Sequence, residues 1–149
     1  TGGLFSVLRT CVLYGTGKGV KTNFFLWVYK NLMEGNPVRI VTDQYNNPTL
    51  AEDLAAASRL VWEKAAAGIH HIAGPEYINR YDFAMKIADV FNLDKERISP
   101  ITTIELGQQA NRPLRGGLKT DLADMKLGFR ARTVQQALTY LKTKMEQYG

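Results

Sequence analysis

Three clusters in this 149-residue chain hold side chains whose types and spacing suit a charged ligand better than they suit packing. Arg112-Pro113-Leu114-Arg115-Gly116-Gly117 sets two guanidiniums on a stretch stiffened by proline. A guanidinium fork grips a phosphate bidentately, and a diphosphate offers two such groups. Asp43-Gln44-Tyr45-Asn46-Asn47-Pro48-Thr49 is a long polar link running into a helix N-terminus, where unpaired N–H groups and the helix dipole favour anions. Arg9-Thr10 and Tyr14-Gly15 bring a charge and small polar groups to the carboxyl end of an apolar strand, the edge at which open α/β sheets take their ligands.

Other suggestive patterns fail on their own geometry. Gly15-Thr16-Gly17-Lys18-Gly19 follows a strand, but a nucleotide-phosphate loop needs a hydroxyl residue after the lysine, and Gly19 stands there. A dinucleotide fingerprint needs a third glycine where this loop has Val20. Two stretches have the Tyr-x-x-x-Lys spacing that sets a phenol acid beside an ammonium on one helix face. Tyr14 to Lys18 encloses glycines that no helix would hold, and Tyr140 to Lys144 reads as an ordinary pair on a solvated face. His70 and His71 are neighbours in a strand, so their side chains point to opposite sides and cannot share a metal. Cys11 lies inside a strand, where a thiol is usually inert packing.

These clusters need a scaffold, and the hydrophobic pattern supplies one. Phe5 to Tyr14 is bounded by Gly3 and Gly15 and nearly continuous in apolar character, which predicts a strand covered on both faces. A helix is expected from Asn23 to about Glu34, stopped by Gly35-Asn36-Pro37, with Phe25, Tyr29, Leu32 and Met33 on one face. Val38 to Thr42 predicts a half-buried strand, and Thr49 with Glu52 has the spacing of a capping box opening a helix at roughly 50–66. Ile69 to Ala73 predicts a second short buried strand. Asn79 caps a helix carrying Phe83, Ile87, Val90 and Phe91. After a Pro/Thr-rich connection comes a short helix, Thr120 to Leu127. A last helix opens on Thr133 and Gln136 with Ala137, Leu138, Leu141 and Met145 inward. Strands alternating with helices give an α/β class, with fewer strands than an independent doubly wound sheet usually has.

Composition narrows the partners. Forty-five per cent hydrophobic and 22% charged residues describe a globular chain. One cysteine excludes an internal disulfide framework and suits a reducing cytosol, so a cytoplasmic location is expected. No apolar run approaches the ~20 residues that span a bilayer. The net charge of +5 attracts phosphates, but no aromatic-basic RNA signature or zinc spacing accompanies it, so neither nucleic acid nor a metal is expected. A start at Thr1 with no methionine, entering a strand pattern at once, is read as a cut from a longer chain.

Taken in order, LRTCVLYG (Leu8 to Gly15), NFF (Asn23 to Phe25), VRIVTDQYNNPTLAEDLA (Val38 to Ala55), GIHHIAG (Gly68 to Gly74), YDFA (Tyr81 to Ala84) and RPLRGGLKTD (Arg112 to Asp121) resemble the extended short-chain dehydrogenase/reductase superfamily. Within it they are most similar to the dTDP-4-dehydrorhamnose reductase branch. The resemblance implies that residues 1–149 form the C-terminal, substrate-binding half, its strands near 5–14 and 69–73 joining the sheet of a Rossmann-fold N-terminal half. The glycine fingerprint and the catalytic Tyr-x-x-x-Lys helix would then precede this chain, which would carry no catalytic residue and be inactive alone.

By the same resemblance Thr10 and Cys11 approach the nicotinamide end of NADPH or NADH, which the N-terminal half mainly binds. Asn23 and Gln44 line the substrate pocket, and Arg112 faces the nucleotide phosphates. The implied reaction passes a hydride to the C4 carbonyl of a nucleotide-linked keto-sugar, an upstream tyrosine giving the proton. Arg112, Thr10 and Gln44 should converge on one cleft. Val12 stands where rhamnose reductases commonly carry a substrate-contacting tryptophan, which leaves the sugar open. Two alternatives share the pattern: a non-catalytic regulatory subunit like that of methionine adenosyltransferase, and a sugar-nucleotide epimerase or dehydratase. Strands without their sheet neighbours would leave an apolar edge, so a homodimer is a further expected partner of the chain beside its N-terminal half.

Overall fold

The computed structural model describes residues 5–107, 109–110 and 112–148. In chain order the elements are β1 (Ser6–Arg9), β2 (Leu13–Tyr14), α1 (Phe24–Met33), β3 (Val38–Val41), β4 (Tyr45–Asn46), β5 (Thr49–Leu50) and α2 (Ala51–Glu63). After them come β6 (Gly68–His71), β7 (Ile78–Asn79), α3 (Arg80–Phe91), β8 (Ile98–Ile101), α4 (Thr103–Leu106), α5 (Asp121–Leu127) and α6 (Val134–Tyr148). The α/β class expected from the pattern is the class observed.

Two apolar clusters organise these elements. In the larger, α3 packs on α1 and α6, and α1 and α3 on β3, with Phe25, Val28, Ala84, Ile87, Ala137, Leu138 and Leu141 wholly buried. Its centre is aromatic: Phe83 meets Tyr14 edge-on at 5.1 Å between centroids and stacks on Phe24 at 5.7 Å. In the smaller, α2 and α5 bury Ala57, Val61, Ala123 and Leu127 with Ile72 just past β6. The strands pair as β1 with β6, β2 with β5 and β3 with β8, all parallel, and β4 with β7 antiparallel. The polar link at 43–50 therefore pairs with β2 and β7 beside the larger cluster. Of the strands, β3 is covered on both faces at Ile40 and Val41, whereas β1 is largely exposed.

Several sequence expectations need correction. The strand over Phe5 to Tyr14 is two strands, broken at Val12, whose φ is +43°. A β-branched residue is strained in that left-handed region. The break ends the β1–β6 pairing at Ile72 N to Arg9 O (2.8 Å) and swings Leu13–Tyr14 against Thr49–Leu50 instead. Nor is β1 covered on both faces, since Phe5 is 70% and Val7 40% exposed. Gly3, read as its boundary, lies outside the described residues.

Thr49 and Glu52 form no capping box. Thr49 is a fully buried strand residue whose hydroxyl donates to Cys11 O at 2.8 Å, and Glu52 pairs with Lys144. Replacing Thr49 with valine keeps the shape but strands that carbonyl. We expect a loss of about 1–3 kcal/mol, measured by urea unfolding against wild type.

Lys144 is likewise no solvated-face residue: it also donates to Thr16 O (3.1 Å), tying α6 to the glycine loop. Met33 faces solvent at 60%, its expected place in the core taken by Leu26 and Val28. Strand β8 went unforeseen because Pro100 sits within it. A proline is tolerated there because, among the described residues, β8 pairs with β3 alone and can lack one donor. The Thr133–Gln136 box, the Asn79 cap and the Asn23 cap all form.

Candidate functional site

The carboxyl end of β3 opens on a cleft of about 330 Å³ lined by Phe24, Trp27, Arg39, Ile40, Val41, Gln44, Arg80, Leu106 and Arg112. Local structure sets each wall. Asn23 caps α1 by accepting from Leu26 N (3.1 Å) while its amide donates to Gly15 O (2.8 Å), which places Phe24 at the helix mouth. Asn79 caps α3 by accepting from Asp82 N (2.7 Å), which makes Arg80 the first residue of that helix. The Arg80 N–H donates to Gln44 O at 3.2 Å, locking the start of α3 to the end of β3.

Gln44 itself is 5% exposed, and its Nε2 donates to Thr103 Oγ1 at 3.0 Å. The Thr103 hydroxyl in turn donates to Asp43 Oδ1 at 2.7 Å, and its N–H reaches the same carboxylate at 3.1 Å. Those hydrogen bonds hold the Asp43 carboxyl below the usual carboxylate range. A carboxylate can only accept, so this chain fixes the direction of both hydrogen bonds and the pose of the Gln44 amide.

The electrostatics of the cleft are one-sided. Arg39, Arg80 and Arg112 all line it, and among the described residues none of the three joins an ion pair. The Arg80 guanidinium lies 5.2 Å from the Phe24 ring centroid, a cation–π contact. Burial, and after it the neighbouring charge of Arg112, push its pKa below the ordinary arginine value. A cleft lined by three guanidiniums, none of them in an ion pair among the described residues, favours an anion.

The expected convergence is partial. Gln44 and Arg112 share this cleft, and Asn23 borders it through Phe24. Thr10 and Cys11 do not line it; they sit past the end of β1, where the Cys11 thiol donates to Asn47 O at 3.2 Å. Burial raises the Cys11 pKa, an effect partly offset by that hydrogen bond, so the thiol is poorly suited to act as a nucleophile. Thr10 Oγ1 is buried with no hydrogen-bond partner among the described residues. His70 is buried against Ala66 O, and His71 lies on the opposite side near Lys119 O.

Arg80 escaped the sequence reading. A signal existed: a cation at the first position of a helix opposes the helix dipole, and such a conflict marks a residue placed for something other than folding.

A larger depression of about 610 Å³ near His71 and Phe129 is less suited to a ligand. Its arginines are already engaged, Arg130 with Asp124 and Arg132 with the buried Asp53. Among the described residues no group of three or more His, Cys, Asp or Glu could hold a metal, and no helix is long and apolar enough to cross a membrane.

Residues 2–147 match the family described as the RmlD substrate binding domain. The chain belongs to this family. A probable low-salt glycan biosynthesis reductase, Agl14, of Haloferax volcanii is 26% identical over 145 residues, 96% of this chain and 48% of that protein. The beta subunit of methionine adenosyltransferase 2 of Danio rerio is 29% identical over 72% of this chain and 35% of that protein. The crystal structure of a dTDP-4-dehydrorhamnose reductase from Clostridium acetobutylicum superposes with a TM-score of 0.85 at 26% identity, covering 95% of this chain and 49% of that one. This RmlD substrate binding domain thus spans about half the length of such relatives, or less.

Proposed function

We propose that this RmlD substrate binding domain holds the phosphate-bearing part of a nucleotide-linked keto-sugar for an NAD(P)-dependent reductase. The observation that carries the reading is the cleft that Gln44, pinned through Thr103 to Asp43, lines together with guanidiniums, Arg112 among them, that join no ion pair among the described residues. Arg112 would neutralise a phosphate and Gln44 would orient the ligand. Asn23 acts indirectly, by fixing Phe24 at the cleft wall. Fixing the two reactants can lower a barrier by several kcal/mol through orientation alone.

A nicotinamide cofactor would supply the hydride. The orphaned hydroxyl of Thr10, at the carboxyl end of β1, fits a contact with such a group, and Cys11 would flank it. The exposed strand residues Phe5, Val7 and Ile69 suit an N-terminal Rossmann half of the same protein, with a second copy of the chain as the other candidate. No residue of this chain is assigned the proton transfer.

The test is Arg112→Ala in the protein carrying this chain. Substrate affinity should fall by about 1.5–3 kcal/mol if the charged hydrogen bond is made. An unchanged KM would refute the role. The likeness to the methionine adenosyltransferase beta subunit supports a second reading, a non-catalytic subunit. Net consumption of NAD(P)H with a nucleotide-linked keto-sugar separates them, since a subunit consumes none and an epimerase returns its hydride.

A further inference from the structure

We propose that Thr103 is a positioning residue of the cleft: held by Asp43, its hydroxyl fixes which edge of the Gln44 amide a ligand meets. The inference rests on the reading above, that Gln44 orients the ligand, and adds the pair of residues that orients Gln44.

The direction follows from the protons available. A hydroxyl has one proton to give, and Thr103 gives it to Asp43 Oδ1 at 2.7 Å. The Asp43 carboxylate can only accept, and it takes the Thr103 N–H as well, at 3.1 Å to each oxygen. Thr103 Oγ1 therefore faces Gln44 with lone pairs alone, and the Nε2 branch of the amide meets it at 3.0 Å. A flipped amide would set its oxygen against those lone pairs. The amide is planar, so its carbonyl branch diverges from Thr103, and an acceptor there suits a sugar hydroxyl. A carbonyl oxygen accepts twice, so one partner within the protein leaves room for a ligand.

Folding of α4 does not require this arrangement. Thr102 and Glu105 already complete the capping box of that helix. A further cap from Asp43, 60 residues away, would account for its contact with the Thr103 N–H. It would not account for a hydroxyl that passes the constraint on to an amide only 5% exposed at the cleft. The main chain of Gln44 is held too, its carbonyl accepting from the Arg80 N–H at 3.2 Å. A side chain fixed at both ends meets its ligand already oriented. Leu106, on the same short helix as Thr103, lines the same cleft.

The experiment is calorimetric titration of the protein carrying this chain with thymidine diphosphate glucose, a probe that keeps sugar hydroxyls and has no keto group to reduce. Thr103→Val should weaken binding by about 2- to 12-fold, the span of one neutral hydrogen bond. Thr103→Ser, which restores the hydroxyl, should bind as wild type does. Asp43→Asn offers Thr103 an amide donor and lets the hydroxyl proton turn to Gln44, so it should weaken binding as Thr103→Val does. Added to Gln44→Ala, Thr103→Val should change affinity by less than twofold, because it acts through a side chain already removed.

Losses that simply add in the double variant would show a packing role and overturn the proposal. So would an Asp43→Asn protein that binds as wild type, or a Thr103→Ser protein no better than Thr103→Val. A Thr103→Val protein with a lowered Tm and unchanged affinity would overturn it as well. In each of these cases the cleft reading stands. If wild type does not bind the probe, or Gln44→Ala binds it as tightly as wild type, the cleft reading falls and this inference with it.

Discussion

Phe83→Ala should cost the domain about 3–5 kcal/mol, the range for removing a buried aromatic ring from a core that cannot close over the gap. Phe83 is 1% exposed and is the ring on which Tyr14 and Phe24 both lean. Tyr14 is itself 2% exposed, and burial followed by the nearby carboxylates of Asp53, Glu76 and Glu52 raises its pKa, so it stays a neutral packing group. Neither neighbour can fill the void. Tyr14 is fixed by the β2–β5 pairing and Phe24 by the α1 cap. Urea unfolding of the protein carrying this chain measures the loss. Phe83→Leu, which keeps most of the volume, should lose far less. Equal losses for the two variants would contradict the description of an interlocked aromatic centre. Ligand binding should weaken as well, because Phe24 carries Arg80 on its face and rests on Phe83.

Gly74→Ala is expected to be comparably severe, for a different reason. A Cβ at Gly74 would stand well inside contact distance of the Pro48 carbonyl oxygen, which is backbone and cannot rotate away. The Gly74 carbonyl meanwhile accepts from Asn47 Nδ2 at 3.1 Å, so the two segments cannot separate without breaking a buried hydrogen bond. Overpacking commonly costs about 1–3 kcal/mol, and a collision between two backbones belongs at or above the upper end of that range. The same segment carries Thr49, whose N–H and hydroxyl reach Val12 O and Cys11 O, so the end of β1 should shift too. Proteolysis near residues 45–49, or a Tm drop of several degrees, would register the change. A wild-type Tm for Gly74→Ala would show that the approach of Gly74 to Pro48 is not needed.

Much of this was legible in the sequence. The caps at Asn23, Asn79 and Thr133 obey local rules, because a side-chain oxygen meeting an N–H two or three residues on needs nothing from the rest of the fold. The apolar stripe of α3 followed from its helical spacing, and Gln44 and Arg112 stood out because such residue types are poor packing material. Those features are properties of a few neighbouring residues.

What the tertiary structure decided lies between distant segments. Thr49 had a sound capping pattern with Glu52, yet pairing with β2 bent it inward to the Cys11 carbonyl 38 residues away. Lys144 looked like a surface lysine until α6 was laid against Glu52 and the loop at Thr16. Thr10 and Arg112 shared a chemistry but not a cleft, because the break at Val12 turns the end of β1 toward Asn47. The isolation of Arg80 depends on which carboxylates the fold leaves out of reach, and no spacing along the chain records that. Local capping and amphipathic patterns are short-range and additive, whereas burial and charge pairing depend on what other parts of the chain bring to the same place.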